Sequence, residues 1–131
     1  PGGLTSPTHF YYSGNMKTEE AVARLSALAQ ETRLELFRKL VRRGSLGLAA
    51  GALAEALAVP APTLSFHLAA LERTGLVVSR RQGRSIVYSA SFPAMEELLG
   101  FLLQNCCADG ACAPPAALVA PPRAKKAMKK T

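Results

Sequence analysis

Acidic side chains, histidine, cysteine and long apolar runs are all scarce in this chain of 131 residues. No apolar run approaches the ~20 residues that span a bilayer, which excludes an integral membrane protein. No segment carries the small-residue cleavage site of a secretory signal, so a cytoplasmic location is the expectation. The two histidines are His9 and His67. They leave no nucleophile–base pair, and no carboxylate pair or phosphate-cradling loop stands out, so an enzyme is not expected. The three cysteines all fall between positions 106 and 112. An odd number in so tight a cluster is no disulfide framework. The length suits one domain with tails rather than a two-domain enzyme.

What the chain does have is an apolar share of 49%, enough for a core and too much for global disorder. Sixteen basic groups against nine acidic ones give a net charge of +7. Five of those bases (Arg123, Lys125, Lys126, Lys129 and Lys130) sit in residues 114–131, where there is no acid. That stretch of Pro, Ala and Lys lacks helical or strand periodicity and reads as a disordered basic tail. A second basic feature lies inside an ordered pattern. From Arg73 to Met95 the chain carries Arg73, Arg80, Arg81 and Arg84 and no acid. That local field points to an anionic partner.

Residues 1–15 are rich in Gly, Pro, Ser and Thr and read as a disordered leader or expression remnant, with Met16 a candidate start. Thr18 is the expected N-cap of a first helix, with Glu19 and Glu20 in its first turn. Its apolar stripe is Ala21, Val22, Leu25, Leu28 and Ala29. A second helix is predicted over Glu31–Arg43 with Leu34, Phe37, Leu40 and Val41 inward, closed by Gly44. Ala49–Leu57 reads as a short helix, followed by a break at Ala58–Pro62 and a further helix to about Thr74. That pair suits a helix-turn-helix unit. Leu76–Arg80 and Ser85–Ser89 flank Gln82-Gly83 as a hairpin. Phe92–Asn105 is an apolar helix carrying Met95, Leu98, Leu99, Leu102 and Leu103, whose economical use is dimerisation. The fold class is α+β, mostly α: a winged helix-turn-helix at residues 16–113, with an N-terminal and a C-terminal dimerisation helix.

The motifs fit one family. LAQETRLELFRKL, at Leu28–Leu40, resembles the L-A-x-x-x-R-L-x-I-L-x-x-L opening of the ArsR/SmtB family of metalloid- and metal-responsive repressors. Thr63-Leu64-Ser65-Phe66-His67-Leu68, followed by Leu71 and Gly75-Leu76-Val77, is similar to its T-x-S-x-H-L-x-x-L-x-x-x-G-L-V recognition helix. Arg80-Arg81-Gln82-Gly83-Arg84 and Tyr88 resemble its R-R-x-G-R-x-x-x-Y wing. The resemblance implies a homodimer on double-stranded operator DNA. Its DNA contacts carry over to Thr63, Ser65, Phe66, His67, Arg80, Arg81 and Arg84. Ala61 and Pro62 depart from it, standing where many relatives have polar groups, and Phe66 stands where a histidine is frequent. Apolar contact with thymine methyls and Ser65 is therefore the expected base readout. Two orientations are open for His67: toward DNA, or toward the core three residues after Leu64. Strand alternation puts Arg80 and Arg81 on opposite faces, which favours Arg84 as the wing contact.

Cys106, Cys107 and Cys112 form a Cys-Cys-x4-Cys cluster after the terminal helix, with Asp109-Gly110 as a turn that can bring Cys112 back. Structural zinc takes four ligands, and only Asp109 could complete the set. Three soft sulfurs suit a three-coordinate thiophilic ion such as trivalent arsenic or antimony. The family's founding C-x-C-x-x-C site is missing from Ala49–Pro60, and the terminal-helix His and Asp pairs of zinc- and nickel-sensing members are missing too. The cluster resembles that of arsenite-responsive members whose site lies after the terminal helix. Two thiols would satisfy methylarsenite, and a thiol-redox switch through Cys112 is the alternative. No cofactor is required by this reading; the metalloid is an effector.

Overall fold

The computed structural model describes residues 16–110. The leader, the basic tail and Cys112 lie outside the described residues. Five α-helices, a 3-10 turn and three short strands follow one another in that span: α1 Thr18–Leu28, α2 Glu31–Arg43, the 3-10 turn Gly44–Leu46, β1 Leu48–Ala49, α3 Ala50–Leu57, α4 Ala61–Arg73, β2 Val77–Gln82, β3 Ser85–Ala90 and α5 Phe92–Leu103. The sheet is antiparallel in the order β1-β3-β2. The mostly helical winged helix-turn-helix is as expected.

Local chemistry accounts for the boundaries. Lys17 rather than Thr18 caps α1, and its backbone N–H donates to Glu20 Oε1 at 3.0 Å. The Gln30 side chain accepts from the Arg33 backbone N–H and starts α2. The Ser91 hydroxyl caps α5 by accepting from Ala94 N–H. In the hairpin, Val77 pairs with Ala90 and Gln82 with Ser85, which leaves Gly83 and Arg84 as the tip. Gly83 sits at φ 67°, the left-handed backbone a two-residue hairpin turn requires. β1 was not foreseen. Leu48 pairs with Tyr88 and Ala49 with Val87, so the wing is tied to the entry of α3.

The main core joins Leu36, Phe37 and Leu40 of α2, Leu53 of α3, Leu64, Leu68 and Leu71 of α4, and Leu76 and Val77 at the start of the wing. Each such leucine contributes on the order of 2 kcal/mol by leaving water. The inward face of α2 differs from expectation: Leu36 is fully buried, while Leu34 and Val41 turn outward. A smaller cluster of Met16, Ala21 and Leu98 packs α1 against α5. Beyond it, Val22 and Leu25 of α1 and Leu99, Leu102 and Leu103 of α5 are exposed apolar residues. No single helix among the described residues is long and apolar enough to cross a membrane.

Candidate nucleic-acid interface and thiol cluster

Helix α4 starts after Pro60, with Pro62 in its first turn, where the missing N–H costs no helical bond. Leu64, His67, Leu68 and Leu71 point inward, and Thr63, Ser65 and Phe66 face solvent. Phe66 is 64% exposed. His67 takes the inward of its two orientations and is only 9% exposed. Arg33 Nη1 donates to its Nδ1 at 3.2 Å, because a guanidinium can only donate. His67 is thereby a neutral ring with its proton on Nε2. Burial first, and the Arg33 charge second, hold its pKa below the ordinary 6.5. The ring also meets Phe66 edge-on, with centroids 5.6 Å apart at 67°.

The wing separates its arginines. Arg80 reaches back from β2 and donates to the carbonyls of Leu46 at 3.0 Å and Ser45 at 3.4 Å. Its guanidinium is occupied by the 3-10 turn, so it staples the wing to the body of the domain. The side chains of Arg81 and Arg84 are exposed and make no hydrogen bond or ion pair among the described residues. They are the wing cations available to an anion. Ser79 Oγ donates to Glu72 Oε2 at 2.7 Å, which ties the wing to the last turn of α4.

Arg24 is a half-buried connector that sequence reasoning missed. Its Nε donates to Thr74 O at 3.0 Å, at the end of α4, and its Nη1 to Ala94 O at 2.8 Å, in α5. The same Nη1 pairs with Glu97 Oε1 at 3.0 Å, the one ion pair among the described residues. Arg33 was visible as the arginine of the opening motif, but its partner lies 34 residues away and left no local signal.

At the end of α5, Cys106 is an exposed free thiol and Cys107 is disulfide-bonded. Their Sγ atoms lie 3.3 Å apart. Asn105 and Cys107 both adopt positive φ, 61° and 63°, and this coiled turn is what lets adjacent side chains converge. No three His, Cys, Asp or Glu side chains converge among the described residues. A cleft of ≈ 330 Å³ lined by Glu35, Arg38, Lys39, Arg42, Ala56 and Leu57 contains none of the predicted site residues.

A helix with an outward polar-to-apolar edge, a preceding short helix and a cation-tipped hairpin define a winged helix-turn-helix DNA-binding protein. A family model described as a helix-turn-helix domain matches residues 28–80. The transcriptional activator HlyU of Vibrio cholerae is 32% identical over 88 residues, covering 67% of this chain and 79% of that protein. The nodulation protein NolR of Rhizobium meliloti is 38% identical over 84 residues, covering 64% of this chain and 66% of that protein. An ArsR-like transcriptional regulator from Rhodococcus sp. RHA1 superimposes with a TM-score of 0.60 at 32% identity, over 70% of this chain and 82% of that one. The chain belongs to the ArsR/SmtB family of winged-helix transcriptional regulators, whose members are DNA-binding proteins rather than enzymes.

Proposed function

We propose that the protein is a homodimeric repressor that leaves its operator when trivalent arsenic, or antimony, binds the thiolates of Cys106, Cys107 and Cys112. The observation that carries this reading is the 3.3 Å separation of the Cys106 and Cys107 sulfurs. Adjacent sulfurs that converge at the end of α5 supply two of the three soft ligands that a three-coordinate thiophilic ion takes. Arsenous acid and three thiols would give the tris-thiolate and three waters, with no change of oxidation state. Ligation requires the Cys107 disulfide to be reduced first.

The exposed apolar residues of α1 and α5 would pair with a second copy, and the cysteines would then sit beside the dimer helices. Two copies of α4 would lie about 34 Å apart on successive major grooves in the cytoplasm, with Thr63, Ser65 and Phe66 at base edges and Arg81 and Arg84 on phosphates. Release requires the metalloid to favour the DNA-incompatible pose; a coupling of roughly 1–3 kcal/mol is typical.

The disulfide on Cys107 favours a second reading, in which oxidation is the signal. Two thiols would lose two protons and two electrons to a peroxide or polysulfide. Alkylation of the reduced protein, counted by mass spectrometry, separates the two. Arsenite should protect three cysteines from the alkylating reagent and methylarsenite two. Protection of none, with release of DNA by peroxide alone, would establish the redox reading instead.

A further inference from the structure

The outward face of α4 is poor in the groups that ordinarily read bases. At 100° per residue, Pro62, Phe66, Ala69 and Arg73 form a line opposite the buried Leu64, His67, Leu68 and Leu71. Ala61 and Ser65 flank that line on one side and Thr63 on the other. Through residue 70, the exposed side chains of α4 therefore offer only two hydroxyls for hydrogen bonding. None has the amide or guanidinium that grips adenine or guanine in two places.

In the middle of that face stands a phenyl ring, solvent-exposed yet braced from behind. Phe66 meets His67 edge-on. His67 is held by Arg33, and Arg33 Nε donates to the carbonyl of Ala27 at 2.6 Å. The edge contact with His67 gives the phenyl ring a packed neighbour on one side, and the rest of the ring stays open to solvent.

We infer that Phe66 is the specificity-determining side chain of α4 and that it reads the C5-methyl group of thymine. The inference rests on the reading of α4 as the helix that enters the major groove. Among the unmodified base-pair edges exposed there, only thymine presents an apolar group. Phe66 buries that methyl group, while Ser65 and Thr63 supply less selective polar contacts.

The test uses the full, reduced chain and duplexes that it enriches from a random-sequence library. Enriched half-sites should share a thymine. Remaking them with deoxyuridine removes the methyl group and leaves the Watson–Crick pairing intact. Wild-type affinity, read by fluorescence anisotropy, should fall about fourfold for each half-site so changed. Phe66→Ala should bind the thymine duplex more weakly and should no longer distinguish it from the uracil duplex, whereas Phe66→Leu should keep part of the difference. Ser65→Ala and Thr63→Ala should weaken both duplexes alike. Equal wild-type binding to thymine and uracil duplexes, with Ser65→Ala still weakening both, would overturn the inference and leave α4 in the groove. If no α4 substitution changes affinity, the groove placement fails and the inference fails with it.

Discussion

Arg33 and His67, 34 residues apart, are joined by a hydrogen bond of 3.2 Å between guanidinium Nη1 and imidazole Nδ1. One bond thus ties the start of α2 to the middle of α4, and it exists only while His67 is neutral. A protonated ring would place a second donor and a second positive charge against Arg33.

The pH dependence follows from that geometry. The folded protein holds the His67 pKa below 6.5, so the unfolded chain takes up a proton first as pH falls. The stabilising contribution is complete above the ordinary value of 6.5, and it is lost as pH falls from there toward the lowered folded value. Urea unfolding at a series of pH values between about 7.5 and 5 should show this loss in the wild type. His67→Gln should be less stable at neutral pH and flatter across that interval. Parallel curves for the two proteins would contradict the assignment.

The wing arginines should behave differently from one another. Arg84→Ala removes a phosphate contact, so DNA affinity falls across all sequences and the salt slope drops by about one per protomer. Arg81→Ala should act likewise. Arg80→Ala instead releases the carbonyls of Ser45 and Leu46, and its main effect should be a lower melting temperature with a nearly unchanged slope. Anisotropy titrations at several salt concentrations, paired with thermal melts, separate the two patterns.

Gly47, between the 3-10 turn and β1, lies directly against β3 of the wing. It has φ +70°, and an added Cβ would lie 2.5 Å from Tyr88 O and 2.8 Å from Val87 Cγ1. Neither backbone strain nor the carbonyl clash has an easy relief, because β1 is paired to β3 at that point. Gly47→Ala should cost at least about 2 kcal/mol in denaturant unfolding. Gly44→Ala meets no neighbouring atom within 4 Å and should cost only the strain of its positive φ.

The exposed apolar residues of α1 and α5 give a direct expectation for assembly. Leu102 is 51% exposed on α5 and lies outside both core clusters. Leu102→Glu should leave the monomer folded by circular dichroism and shift sedimentation from dimer to monomer. DNA affinity should fall with it, since two half-sites are no longer bound together.

Much of this fold is legible in local sequence, because its signals are short-range. The limits of α2 follow from Glu31 at its start and from Arg42, Arg43 and Gly44 at its end, and the hairpin follows from Gln82-Gly83. The failures come from non-local contacts. β1 is two residues long and exists only because Leu48 and Ala49 meet β3 almost 40 residues later. Leu34 and Leu36 are equally apolar, and only the position of the neighbouring helices decides that Leu36 turns inward. At the site, residue types and spacing marked the recognition helix, the wing and the thiols. They could not show that Arg80 folds back on Leu46, or that Arg24 joins α1 to the end of α4 and to α5.

In the proposed repressor, thiols after α5 control occupancy of DNA by α4 and the wing. Fluorescence anisotropy of a labelled, enriched duplex bound by the fully reduced protein tests it most directly, with arsenite as titrant. The wild type should release the duplex at about one arsenic per site, and Cys106→Ser, Cys107→Ser and Cys112→Ser should retain it at the same concentration. Release from all three single variants, or a wild-type complex that survives arsenite, would contradict it.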